Sequence, residues 1–152
     1  MNIDITGVGT INVQKIFLDY NGTIAENGDL LTGIKKYLRD LSETYEIYVL
    51  TGDTFGTVKE AFKDSNIEVI VAETAQEKAT VIDKNNPEHC IAIGNGSIDQ
   101  LMFKKAALSF CVIGREGASV KALLEADIVV HSVYHAFEMI ESSKKIIATL
   151  KE

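Results

Sequence analysis

Asp19 closes the apolar run KIFLD (Lys15–Asp19) and leads straight into Tyr20-Asn21-Gly22-Thr23. A short apolar run of this kind reads as a buried parallel strand, and the end of such a strand is where open α/β sheets place their chemistry. An ionised carboxylate there is a candidate nucleophile. Alone, the same residues also describe a plain strand running into an Asx-type turn. A second run, Cys90–Ile93, ends in Gly94-Asn95-Gly96-Ser97-Ile98-Asp99. That stretch is either a phosphate-cradling loop or a tight turn with an acid in the first turn of the next helix. It is not a dinucleotide fingerprint, which would want glycine at position 99. A third run, Ile47–Leu50, ends in Thr51-Gly52-Asp53, offering a hydroxyl and closely approachable backbone N–H groups. Asp53, with Thr54 as the other candidate, reads as the cap of the helix that follows. Lys78 stands among Ala, Thr and Val, and on its own it reads as a surface lysine.

The elements that must position these residues follow from periodicity. Apolar strand-like runs alternate with helical stretches from Lys15 onward, the pattern of a parallel sheet covered by helices on both faces. Strands are expected at Ile16–Asp19, Ile47–Leu50, Val69–Val71, Cys90–Ile93, Phe110–Ile113 and Ile128–Val130. Helices are expected at Asp29–Leu41, Thr54–Lys63, Ala75–Asp83, Ile98–Ala107, Ser119–Ala126 and Tyr134–Leu150. Before them, Ile3, Ile5, Ile11 and Val13 alternate around Gly7-Val8-Gly9, a hairpin signal. The fold class is therefore a three-layer, Rossmann-like α/β unit with an N-terminal β-hairpin: a single domain over residues 1–152, with the hairpin at 1–14 and the core at 15–152. In a strand order near 3-2-1-4-5-6 the runs ending at Asp19 and at Gly94 are neighbours at the switch point.

Composition limits the partners. Twenty-two acidic against fifteen basic residues give a net charge of -7, which opposes a nucleic-acid backbone and an anionic membrane alike. No apolar run is long enough to span a bilayer and the N-terminus has no signal-like core, so the expectation is a cytoplasmic protein. Cys90 and Cys111 sit in apolar strands without CxxC spacing and read as core thiols.

In order along the chain, these pieces resemble the haloacid dehalogenase-like superfamily of phosphotransferases. That superfamily carries a nucleophilic aspartate in a strand-end DxxGT motif, then a Thr or Ser at the next strand end, then a helical lysine, then an acidic GDxxxD-type loop. Here the counterparts are Asp19 through Thr23, Thr51, Lys78 and Gly94 through Asp99, a resemblance covering residues 15 to 115. Thr51-Gly52-Asp53 and GNGSIDQLMFKKAAL look most like the small soluble proteins described as P-type-ATPase-like. The resemblance implies an aspartyl-phosphate formed on Asp19 from a small phosphorylated substrate. Gly22, Thr51, Gly52 and Lys78 would bind phosphate, and Mg2+ would be held by Asp19, the Asn21 carbonyl and Asp99, with Asn95 beside them.

Two positions depart from the family. Asn21 stands where its phosphatases usually have a second aspartate, and an amide exchanges no proton at neutral pH, so slow turnover is expected. Asn95 replaces the first aspartate of the acidic loop and removes one negative charge from the metal site. The alternative is an impaired phosphate-binding or regulatory module. The spacings from Thr23 to Thr51 and from Asp53 to Glu77 leave no room for a cap domain, so a second copy covering the open site is the expected form of any oligomer. His89, His131 and His135 read as ordinary residues rather than a metal cluster, Tyr20 as a substrate-contact candidate, and Arg115 as a minor substrate-facing candidate.

Overall fold

A computed structural model describes residues 1–53 and 55–152. It opens with an antiparallel hairpin of β1 (Asn2–Ile5) and β2 (Gly9–Asn12), with Ile3 opposite Ile11. Side chains alternate across a strand, so Ile3, Ile5 and Ile11 are buried while Asn2, Asp4, Thr10 and Asn12 face out. There follow β3 (Lys15–Asp19), a small hairpin of β4 (Ala25–Glu26) and β5 (Asp29–Leu30), and helix α1 (Ile34–Leu41). Next come β6 (Glu46–Thr51), α2 (Thr57–Ala61), β7 (Glu68–Val71), α3 (Ala75–Asp83), β8 (Cys90–Gly94) and α4 (Gln100–Lys105). The chain ends in β9 (Leu108–Val112), α5 (Val120–Glu125), β10 (Ile128–Val130), α6 (Val133–Glu141) and α7 (Lys144–Leu150).

Among the described residues the central sheet has six parallel strands in the order β7-β6-β3-β8-β9-β10. This is the 3-2-1-4-5-6 order expected from the sequence. β3 lies between β6 and β8, with Leu18 opposite Val49 on one side and Ile93 on the other. Because successive side chains point to opposite faces, the run Ile16-Phe17-Leu18 feeds two cores. Ile16 and Leu18 pack with Ile47, Ile91, Ile93 and Phe110 against α1 and α6. Phe17 packs with Leu50, Ala92 and Cys111 against Ile82, Met102, Phe103 and Ala122 of α3, α4 and α5. Burial on both sides is what made these strands read as continuous apolar runs rather than alternating ones.

Three helices differ from expectation. The helix placed at Asp29–Leu41 begins only at Ile34, because Asp29 and Leu30 pair back with Glu26 and Ala25. The turn is Asn27 (φ 51) and Gly28 (φ 85), a left-handed pair that the two-residue hairpin requires. Leu30 keeps helical spacing with Ile34 and Leu38, which hid the hairpin. The helix placed over Tyr134–Leu150 is two helices broken at Ser142-Ser143. Of the helix placed at Thr54–Lys63, α2 covers Thr57–Ala61, and Thr54 lies outside the described residues. Among the described residues no helix is long and apolar enough to cross a membrane.

Candidate active site

The parallel alignment of β3, β6 and β8 brings Asp19, Thr51 and Gly94 to one edge of the sheet. Asp19 is 8% exposed and Lys78 1%. The Lys78 Nζ donates to Asp19 Oδ1 at 2.5 Å and to Asp99 Oδ1 at 2.7 Å. The lysine that read as surface-exposed in isolation is thus the buried link between the two acids. Its helix explains the direction: Thr74 and Glu77 form a capping box at the start of α3, which fixes Glu77 outward and turns Lys78 in.

Asp99 is fully buried, and both its oxygens are used. Oδ1 meets Lys78, while Oδ2 accepts from Asn95 N at 3.0 Å and Gly96 N at 2.9 Å. Gly94 makes this possible, since a Cβ there would lie 2.4 Å from Asp99 Oδ2. Asp99 therefore holds Lys78 and closes the Gly94–Gly96 turn. The reason is local, because the turn's N–H groups have no other partner and claim the carboxylate. The Asn95 amide is also committed: Nδ2 donates to Gly117 O at 3.0 Å, and Oδ1 receives a long bond from Thr23 Oγ1 at 3.4 Å. It rests against Gly22, where a Cβ would come within 2.2 Å of Nδ2 and where φ is +79. Glycine is required there on both counts.

Tyr20, Asn21, Gly28, Thr51, Gly52, Asp53, Thr57 and Val58 line a cavity of about 550 Å3 above this edge. Thr51 is buried and its Oγ1 accepts from Asp53 N at 3.2 Å. The Asp53 carboxylate accepts from Val58 N at 2.7 Å, Thr57 Oγ1 at 2.9 Å and Phe55 N at 3.2 Å, so it serves a first-turn N–H although the N-cap position itself is Gly56 rather than Asp53. Those bonds, chiefly the one from Val58 N, hold it below the usual carboxylate range. The β4–β5 hairpin forms the opposite wall. The Tyr20 hydroxyl donates to Gly28 O at 2.9 Å and fixes the hairpin tip over the cavity. Sequence reasoning missed this wall, although the Asn27-Gly28 pair was its signal.

Burial, then the nearby Asp99 charge, push the Asp19 carboxyl up to about 7 against the opposing pull of Lys78. Burial alone would depress Lys78, but the two carboxylates outweigh it and raise its pKa. Cys90 and Cys111 are buried, and burial pushes both thiols up to about 11, which leaves them inert. Arg115 lies on the far side of the hairpin, 3.8 Å from Glu26 and outside the cavity. His89 shares a hydrogen bond with Asn12 O at 2.7 Å, and His131 lines a separate cavity of about 190 Å3 beside Arg115. A groove of about 570 Å3 at the other end of the sheet is lined by Glu46 and Glu68, which begin β6 and β7, and it lies away from Asp19.

No family model matches the chain. The uncharacterized proteins MJ0073 and MJ0072 of Methanocaldococcus jannaschii are 42% and 51% identical to it over 72 and 39 residues. These matches cover 47% and 26% of this chain and 77% and 89% of theirs, and the chain belongs to one family with them. Among solved structures, 3-deoxy-D-manno-octulosonate 8-phosphate phosphatase from Moraxella catarrhalis, in complex with magnesium, phosphate and KDO, superposes with a TM-score of 0.72. It is 16% identical over 91% of this chain and 94% of its own. A haloacid dehalogenase-like family hydrolase from Streptococcus pneumoniae gives 0.63 at 13% identity, over 84% of this chain and 98% of its own. The chain has the haloacid dehalogenase-like fold. The catalytic domain of the CPx-ATPase CopB-B is similar at 26% identity and a TM-score of 0.62, over 74% of this chain and 46% of that one.

Within this haloacid dehalogenase-like core, the oxygen donors that could meet a divalent cation are the carboxylates of Asp19 and Asp99 and the Asn21 backbone carbonyl, the last accepting no backbone hydrogen bond among the described residues. Hard oxygen donors suit Mg2+, which commonly binds through one or two carboxylates together with substrate phosphate. No group of three or more His, Cys, Asp or Glu is placed to hold a metal among the described residues. The donor set fits magnesium with phosphate supplying part of the shell, rather than an all-protein cage.

Proposed function

We propose that the protein is a magnesium-dependent phosphohydrolase acting on small phosphomonoesters through an aspartyl-phosphate on Asp19. The observation that carries this reading is the buried Asp19–Lys78–Asp99 set at the strand ends, with Thr51 and Gly52 of the neighbouring strand end lining an open cavity. An Asp19 oxygen attacks phosphorus and the ester P–O bond breaks, and the departing alkoxide takes its proton from water. Water then attacks the phosphorus of the aspartyl-phosphate and releases phosphate and the free carboxylate. Thr51 Oγ1 and Gly52 N–H bind the phosphoryl oxygens, and Lys78 offsets their charge. The cation, when bound, adds further charge neutralisation. Asn21 holds no exchangeable proton for either step, which makes turnover slow. A chromogenic phosphomonoester with magnesium tests the proposal: phosphate release no greater than that of Asp19→Asn would end it.

Asn21→Asp will raise kcat by about 10-fold or more, because a positioned general acid–base typically contributes about 10² to 10⁴. A rate equal to or below the parent would show that proton transfer does not limit this site.

A second reading, a module that binds phosphate without turning it over, draws on Asn21 and on the spent Asn95 amide. Both readings have the metal and phosphate bind together, since no group of three or more His, Cys, Asp or Glu among the described residues is placed to hold the metal alone. Magnesium alone will leave Tm nearly unchanged, whereas magnesium with phosphate or beryllofluoride at about 100 times Kd will add about 2.7 kcal/mol. Equal shifts with and without the anion would contradict the shared shell.

A further inference from the structure

Asn95 is half-buried, and each of its four polar groups has a partner. Its N–H donates to Asp99 Oδ2 at 3.0 Å, within the turn that Asp99 closes. Its carbonyl accepts from Ser119 N at 2.8 Å and its Nδ2 donates to Gly117 O at 3.0 Å, both in the loop between β9 and α5. Its Oδ1 accepts from Thr23 Oγ1 at 3.4 Å, in the loop that follows Asp19. The same amide fills the space beside Gly22, where a Cβ would stand 2.2 Å from Nδ2 and 2.8 Å from Oδ1. The β9–α5 loop reaches on to the hairpin, where Glu116 Oε1 accepts from Asn27 N at 2.9 Å. One residue thus joins the Asp99 turn, the Asp19 loop and the β9–α5 loop. Its type follows from its partners. Gly117 offers a carbonyl and needs a donor, while the Thr23 hydroxyl needs an acceptor. Among Asn, Asp and Leu, which share this branched shape, only Asn supplies both. A carboxylate at 95 would set an oxygen against the Gly117 carbonyl with no proton between them.

We propose that Asn95 is a positioning residue, a clasp that sets the Gly22–Thr23 segment, and through it the Asn21 carbonyl and Asp19, against the Asp99 turn. Its effect on rate rests on the phosphohydrolase reading, whereas the clasp itself does not. Were position 95 to serve only the metal, Asn95→Asp would return a charge to the acidic loop and speed the reaction. As a clasp, the same change breaks the bond to Gly117 and slows it.

The test uses a chromogenic phosphomonoester with magnesium, at a temperature where every variant is folded. Asn95→Asp will lower kcat about 10- to 100-fold, the cost of a small misplacement of reacting groups, and will move KM far less, since Thr51 and Gly52 stand outside the clasp. Thr23→Val, which removes the hydroxyl on the other side, will lower kcat in the same sense, and Thr23→Ser, which keeps it, will recover most of the loss. A rate in Asn95→Asp at or above the parent overturns the proposal, and so do equal losses in Thr23→Val and Thr23→Ser. Amide hydrogen exchange without metal or substrate reads the clasp apart from the chemistry. Gly22 N–H and Thr23 N–H, which donate to Ala25 O and Tyr20 O, will exchange about 5-fold faster or more in Asn95→Asp and in Thr23→Val. If the parent releases no phosphate, the phosphohydrolase reading falls and exchange decides alone: faster exchange supports the clasp and unchanged exchange overturns it. If Asn95→Asp does not fold, Thr23→Val against Thr23→Ser carries the same decision.

Discussion

Replacing Lys78 with methionine will cost the fold about 3–5 kcal/mol at pH 8 and end phosphate release, since the change leaves buried charge without its partner. Lys78 is 1% exposed and is the cation bonded to Asp19 and Asp99, which are 8% and 0% exposed. Methionine preserves the volume and apolar stem, so the loss reports charge rather than a cavity. The penalty will shrink at pH 5, where Asp19 can take up a proton. It will shrink again at pH 8 in the double variant with Asp19→Asn, which removes one of the stranded carboxylates. Denaturant unfolding of the two single variants and the double variant measures this coupling. Additive stability changes, the double variant equal to the sum of the two single ones, would show that the three groups do not act as a unit.

Asp19→Asn will abolish turnover and at the same time stabilise the protein. The Asp19 carboxyl is pushed up from an ordinary 3.8 to about 7, mainly by burial and next by Asp99. Below 3.8 both the folded and unfolded chains hold the proton, and the contribution to stability is fully present. Between 3.8 and about 7 only the folded chain holds it, so stability falls by about 1.4 kcal/mol per pH unit and the contribution is gone above 7. At pH 8 the ionised nucleophile therefore costs several kcal/mol, and asparagine removes that cost while keeping the shape. Tm will rise by roughly 5–10 °C at pH 8 and little at pH 4, taking about 2–4 °C per kcal/mol for a chain of this size. A lower Tm at pH 8 would mean that the Lys78 pair outweighs the burial of the charge.

The reach of the sequence can be seen residue by residue. The strand carrying Asp19 and its neighbours at Thr51 and Gly94 was legible because doubly buried strands leave unmistakable apolar runs, and their order followed from alternation with helices. Lys78 was legible only as a member of an ordered set, since helical spacing alone gives no direction to a lone lysine. Its inward turn depends on the Thr74–Glu77 capping box. The direction of Asp99 was not legible at all. Its bonds to the Asn95 and Gly96 N–H groups come from the three-dimensional closure of Gly94–Gly96, which residue spacing does not encode. The β4–β5 hairpin was lost for another reason, since strands of two residues have no periodicity and Leu30 keeps step with α1.

That hairpin separates two tasks that enzymes often entangle. Its turn is two residues long, the shortest that joins paired strands, and its tip lies over the cavity while Asp19, Lys78 and Asp99 lie in and under the sheet. Sequence inserted between Asn27 and Gly28 would therefore lengthen the roof and leave the floor untouched, provided Tyr20 still finds its carbonyl. On the phosphohydrolase reading proposed above the entrance is interchangeable, and substrate range would diversify by growth at one turn without a change at Asp19, Lys78 or Asp99.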